Sequence, residues 1–357
     1  MIRKTLRAVR DRLVAPVRAD LERTKHDLDV VKKIALFSRN VDLVHAASAK
    51  DFFFFMFEDD IPCQNTPGHL RGLHRKMSPK QIAHEVAAVA ESRNRRLLNE
   101  YDPVAAALHG LSQGGKPINL IYVGVNYGPH LFNLADYVRK SGIKCRVLGF
   151  DPGVASALLP TNIELNGFKD LIECFEVALS DADGFTIMNE TIGISWDNKV
   201  VNDGANELRI SKVVKTRSLD SLSRECNIAG PSVIVIDTQG GEPEVIAGAA
   251  EFIKNNECVL FPEFTPHALW SRLPPLEFLK MLDGMGDVHN VGKVNTVSDC
   301  FEPRDKSLGA LVEPHMAGDE LASFVQRVAD NPPRWADLVV IPRTHGGNRV
   351  RTALGLS

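Results

Sequence analysis

Two groups of residues in this 357-residue chain have the types and spacing to handle a nucleoside. Gly124-Val125-Asn126-Tyr127-Gly128 follows an apolar run, and glycines at such a turn let a ligand approach the backbone closely. Asp151 and Pro152 end the next apolar run. A carboxylate at a strand tip can accept both hydroxyl hydrogens of an adenosine ribose. The glycine turn lacks the full G-x-G-x-x-G spacing, which weakens the case for a nicotinamide enzyme that the same two features would otherwise share.

The elements that position these groups are legible as alternation. From residue 118 onward the runs INLIYVGV, KCRVLGF, LIECFEVAL, SVIVIDT, ECVLFPEF, GDVHNVGKV and ADLVVIPR are separated by helical patterns. Such a series predicts an α/β fold with a doubly wound, mainly parallel seven-stranded sheet of the Rossmann-like kind, covered on both faces. Ligands of such sheets bind beyond the carboxyl ends of the strands, where strand order reverses. The Gln113-Gly114-Gly115-Lys116-Pro117 cluster marks the start of this domain, 113–357. Before it, residues 46–112 read as a helical preamble, with Ser78 and Pro79 as the cap and first position of a helix. The aromatic run Phe52 to Phe57 reads as core, without clean strand alternation. Residues 1–45 read as an amphipathic helical segment in which Ile2, Leu6, Val9, Leu13 and Val17 form a stripe between arginines. Residues 1–34 therefore suit a membrane surface or a partner helix, or packing on the chain's own domain. The polar stretch Asn189 to Ile210, with Trp196, Asp197, Asn198 and Asn206, reads as a pocket wall or as a surface hairpin pairing Phe185–Met188 with Val213–Thr216.

In order along the chain, these motifs resemble the FkbM family of methyltransferases, from about Ile118 to Arg343. The family's D-x-G-A-N-x-G is similar to Tyr122 through Gly128, its E-P to Asp151 and Pro152, and its paired asparagines to Asn162 and Asn166. A-L-S-D is matched by Ala178, Leu179, Ser180 and Asp181, and I-D-V-E-G-A-E resembles Ile236 through Glu242. The resemblance implies S-adenosylmethionine as cofactor and O-methylation of a hydroxyl on a glycan or natural-product acceptor. Carried over by position, it assigns the methionine part to Gly124, Asn126 and Gly128, the ribose to Asp151 beside Pro152, the adenine to Val177 and Ala178, and the wall near the methyl group to Asp237.

Methyl transfer to an alcohol needs alignment, exclusion of water and a base. Asp237, Glu263 and His267 are the candidate bases, at or just beyond strand ends in IDTQGG and FPEFTPH. Glu263 and His267 also suit a rim pair orienting a loop, and Asp237 a cofactor ligand. Two positions depart from the family pattern. Tyr122 stands where an acid opens the first motif, and Gln239 stands for the glutamate of I-D-V-E-G. An amide keeps an acceptor there but is not a base.

A net charge of -3 gives no global attraction to nucleic acid. The six cysteines form no close pairs of the kind zinc sites use, so no metal is expected and a reducing, cytoplasmic setting fits. Three functions follow from these residues: an O-methyltransferase with a hydroxylated small-molecule or glycan acceptor, a silent S-adenosylmethionine-binding module in a glycan-assembly complex, or a nicotinamide-dependent oxidoreductase.

Overall fold

The computed structural model describes residues 41–46, 52–57, 63, 73–94, 103–191, 209–269, 272–296, 312–329, 334–343 and 347–356. Residues 1–40 of the helical segment expected over 1–45 lie outside the described residues, as do Trp196, Asp197, Asn198 and Asn206; residues 41–45 of it belong instead to a strand paired with the aromatic run 52–57.

Strands β1 (Val41–Ala46) and β2 (Phe52–Phe57) form an antiparallel hairpin, followed by helices α1 (Leu73–Lys76), α2 (Pro79–Asn94) and α3 (Pro103–Ser112). Then come β3 (Ile118–Val123), α4 (Pro129–Ser141), β4 (Cys145–Phe150), α5 (Leu159–Leu165) and β5 (Ile172–Phe175). A small sheet follows, made of β6 (Ala178–Leu179), β7 (Gly184–Thr191) and β8 (Arg209–Arg217), and then α6 (Leu219–Glu225). The chain continues through β9 (Ser232–Ile236), α7 (Glu242–Ala247), α8 (Ala250–Asn255), β10 (Cys258–Phe264), α9 (Pro266–Leu269) and α10 (Pro275–Met285). It ends with β11 (Gly286–Thr296), α11 (Asp319–Ala329), β12 (Arg334–Pro342) and α12 (Asn348–Ala353).

Seven strands make the main sheet in the order β11-β12-β10-β9-β3-β4-β5. Five neighbouring strands, from β10 to β5, run parallel, and β12 is antiparallel to β10 and β11 on either side. Each expected apolar run of the domain contributes a strand to this sheet, although LIECFEVAL divides between β5 and β6. The reason is burial on both faces. Leu120 and Tyr122 of β3 join the core formed with α3, α4, α5 and α12, whereas Ile121 and Val123 join the core formed with α6 through α11. A strand sandwiched this way has no polar face, so it reads as a continuous apolar run. The chain winds outward from β3 to β5 and resumes at β9 on the other side, which makes the gap above β3 and β9 the topological switch point.

The preamble differs from the helical reading of residues 46–112, because it opens with strand β2. All of β2 is buried except half-buried Phe55, so no polar residue marks its period. Phe54 stacks on Phe132 at 5.4 Å between ring centroids, and Phe52 meets Phe168 at 5.8 Å. The outer edge of β2 would leave backbone groups unpaired. Two asparagines of α5 and its cap satisfy them. Asn162 Oδ1 accepts from Phe55 N–H at 2.7 Å and its Nδ2 donates to Phe55 O at 3.2 Å; Asn166 does the same for Phe53 at 3.0 and 2.6 Å. The paired asparagines thus imitate a strand. Helix α3 also belongs to the main core, since a Cβ on Gly110 would meet Arg349 O of α12 at 2.9 Å. The core therefore reaches upstream of the boundary expected at residue 113. Among the described residues no helix is long and apolar enough to cross a membrane.

Candidate functional site

A cavity of about 350 Å³ opens at the carboxyl ends of β3, β4 and β9, walled by Gly124, Asn126, Asp151, Pro152, Val177, Ala178 and Asp237 among others. Gly124 follows β3 with φ +87°, and a Cβ there would lie 1.7 Å from the carbonyl oxygen of Asp237. Only glycine permits that approach. Asn126 takes φ +54°, and its backbone N–H donates to Asp151 Oδ2 at 2.6 Å, while Gly153 N–H donates to Oδ1 at 2.6 Å. Both carboxylate oxygens are therefore anchored by backbone, leaving lone pairs for a ligand. Burial pushes the Asp151 carboxyl above its usual range, opposed by those two N–H groups and by Lys212.

Lys212 pairs with Glu190 at 2.5 Å, and the same Glu190 oxygen accepts from Val154 N–H at 2.7 Å. This links the β7–β8 hairpin to the loop that carries Asp151. The two expected strands do pair, with Phe185 to Met188 opposite Lys215 to Lys212, one residue off the expected Val213–Thr216. Its inner face supplies Thr186, Met188 and Thr216 to the cavity, while Phe185, Ile187 and Val213 are exposed on the outer face.

The opposite wall is the loop after β9. Asp237 N–H donates to Val123 O at 2.9 Å, continuing the β3–β9 ladder. Buried Glu242 then grips the loop from within: its Oε1 accepts from Thr238 N–H at 2.8 Å and Thr238 Oγ1 at 2.9 Å, and its Oε2 accepts from Gly240 N–H at 2.9 Å. Between those two anchors Gln239 is held at φ +55°. Its Nε2 donates to Asp237 Oδ1 at 2.9 Å and to Glu263 Oε2 at 2.7 Å. Desolvation raises Asp237 to about 6 and Glu242 to about 7, and pushes Glu263 well above the carboxylate range.

The remaining expected site residues sit elsewhere. Gly128 (φ +98°) is packed behind the turn, where a Cβ would meet Phe132 Cε1 at 2.8 Å. Glu263 stands behind Gln239 and also accepts from Thr265 Oγ1 at 2.9 Å. His267 is exposed on α9 and does not line the cavity, because the chain turns at Thr265 and Pro266. Tyr122 points into the core, where its hydroxyl meets His130 Nδ1 at 3.1 Å. Arg272 and Glu244, paired at 2.5 Å on the cavity wall, were not anticipated, and neither was the grip of Glu242. Nothing local in sequence marks those pairings; Glu242 stands in the quoted motif, but its role depends on the left-handed turn at Gln239.

The site fits a nucleoside cofactor on its own geometry: a cavity in the size range of small-molecule pockets, a backbone approach that a Cβ would block, and a strand-tip carboxylate with spare lone pairs. The profile of the Methyltransferase FkbM domain matches residues 122–285. No curated protein matches the chain at a significant level. Among solved structures, an FkbM methyltransferase from Methylobacillus flagellatus is 14% identical over 47% of this chain with a TM-score of 0.32, and the match spans 36% of that protein. An O-methyltransferase from Bacillus cereus in complex with SAH is 13% identical over 75% of this chain and 94% of that one, at a TM-score of 0.33. The precorrin-6y C5,15-methyltransferase from Geobacter metallireducens is 11% identical over 66% and 86%, at 0.30.

Proposed function

We propose, from the match of residues 122–285 to the Methyltransferase FkbM domain, that this chain transfers a methyl group from S-adenosylmethionine to a hydroxyl of a glycan or related small-molecule acceptor. The observation that carries this reading is the meeting of Gly124, Asp151 and Asp237 in one cavity at the switch point of the sheet.

S-adenosylmethionine supplies an electrophilic methyl group on a sulfonium sulfur. The chain's own part is to bind, orient and move one proton. Asp151, already fixed by two backbone N–H donors, accepts the ribose hydroxyls. Gly124 and Asn126 give the methionine part a surface without side-chain obstruction, and Val177 and Ala178 flank the adenine. Asp237 receives the proton of the acceptor hydroxyl. A carboxyl raised to about 6 is ionised at neutral pH yet basic enough to take that proton as the oxygen becomes a nucleophile. Of the three candidate bases, Asp237 is the one that lines the cavity. Glu263 acts behind it through Gln239, and His267 takes no part.

Peripheral attachment through residues 1–34 remains part of the proposal and rests on their amphipathic pattern alone. The test is transfer of labelled methyl from S-adenosylmethionine to a panel of hydroxylated acceptors, each paired with its deoxy or amino analogue. Label in an alkali-stable ether of the hydroxylated members supports O-methylation. Label only in the amino analogues moves the chemistry to nitrogen, and binding without transfer across the panel supports a silent module.

A further inference from the structure

Asp237, Glu263 and Asp337 form a row of carboxylates on one face of the sheet. They continue the inward positions Val235 on β9, Phe261 on β10 and Val339 on β12, all in the same core, and Glu263 lies directly opposite Asp337. Like charges in such a row repel, and here they are half-buried. Into this row the chain inserts an amide where the family pattern has another acid. Gln239 gives one hydrogen to Asp237 and the other to Glu263, so its Nε2 is fully used between them. Its backbone occupies the left-handed region, uncommon for a residue with a side chain, and Glu242 holds the N–H groups on both sides of it. The loop is thus built to keep this amide in place.

We propose that Gln239 is a positioning residue that clamps Asp237 as the ionised member and Glu263 as the proton-bearing member of a carboxyl pair, and thereby sets the pH at which the pocket accepts its ligand. This rests on reading the cavity as the cofactor pocket. The groups that face Asp237 are Gln239 on its own loop, Asp337 on β12, His130 on α4, Asp151 after β4, and Glu263 on β10, with Glu242 of α7 behind. Gln239 and His130 favour the ionised form of Asp237, while burial, Asp337 and Asp151 oppose it. For Glu263 burial opposes ionisation most, followed by the carboxylates of Asp237, Glu242 and Asp337, and these outweigh the Thr265 hydroxyl that favours it. The proton therefore resides on Glu263. Ionised Asp237 is left to face the ammonium group of the ligand or the acceptor's proton.

The experiment is calorimetric titration with S-adenosylhomocysteine between pH 5.5 and 8 on the full chain and on Gln239→Glu, Gln239→Met and Glu263→Gln. Wild-type affinity is expected to fall as pH drops through about 6, the value for Asp237. Gln239→Glu adds a charge and moves the midpoint up by about one unit, which at pH 6 is a further loss of about fivefold in affinity, with little change at pH 8. Gln239→Met moves it up by less, and Glu263→Gln, an uncharged analogue of the proton-bearing form, leaves it in place. A midpoint unmoved in both Gln239 variants, or one moved down by Glu263→Gln, while the wild type binds, overturns the inference and leaves the cofactor reading standing. Absence of wild-type binding at every pH sinks both. Infrared spectroscopy without ligand gives a second check: a protonated carboxyl band at neutral pH that Glu263→Gln removes supports the assignment, and a band unchanged by that substitution overturns it.

Discussion

Replacing Glu242 with glutamine should flatten the dependence of stability on pH. The side chain is fully buried, and its carboxyl is raised from 4.5 to about 7, mainly by desolvation. A raised acid binds its proton more tightly in the folded state. Its penalty is therefore absent below pH 4.5, grows as pH rises, and is complete above about 7. The size of the shift corresponds to about 3 kcal/mol of folding stability lost across that window. Glutamine is an uncharged analogue of the protonated form. It also turns an amide N–H toward one of the three donors that Glu242 now accepts, a cost that does not vary with pH. Urea unfolding of both proteins at pH 5, 6, 7 and 8 separates the two effects. The stability difference should move by about 2.5 kcal/mol in favour of the variant between the ends of that series, part of the penalty being already present at pH 5. Parallel curves would refute the idea that a buried, titrating carboxyl holds the loop of Gln239.

Other substitutions test other parts of the site. Gly124→Ala places a methyl group against the Asp237 carbonyl at a positive φ, so binding of S-adenosylhomocysteine should be lost and stability should fall by more than the about 1–2 kcal/mol of the left-handed backbone alone; calorimetry and thermal melting check this. Asn166→Ala removes both amide bonds to Phe53, and should cost about 1–3 kcal/mol and expose the β1–β2 hairpin to proteolysis before the main sheet. Lys212→Met strands Glu190 in a pair whose members are 11% and 10% exposed, and should destabilise the chain by about 3–5 kcal/mol as read by urea unfolding. The companion Glu190→Gln should be milder, because it keeps an acceptor for Val154 N–H.

The main sheet was readable because its strands are buried on both faces, so INLIYV and SVIVI announce themselves without knowledge of their partners. The same double burial hid β2, since FFFFMF has no polar residue to betray a period and its partners, Asn162 and Asn166, are far away in the chain. Gly124, Asp151 and Asp237 were legible as strand-end residues, because each role depends on one turn and one neighbouring strand. What Tyr122 and Gln239 do was not legible. A side chain's direction at a strand end decides whether it meets ligand or core, and Tyr122 turns to His130 while Gln239 turns across to β10. The place of His267 was hidden for the same reason: the helical turn of α9 carries it to the surface. The pairing of Arg272 with Glu244 and of Lys212 with Glu190 joins elements distant in the chain, and no local pattern encodes such meetings.

The central claim is that the cavity above β3, β4 and β9 is a cofactor pocket anchored by Asp151. Calorimetric titration of the purified chain with S-adenosylhomocysteine, beside an Asp151→Ala control, tests it most directly. Micromolar binding in the wild type, weakened in the control by the about 1.5–3 kcal/mol of each lost charge-assisted bond, is the predicted result. No wild-type binding, or equal affinity in the control, would contradict it.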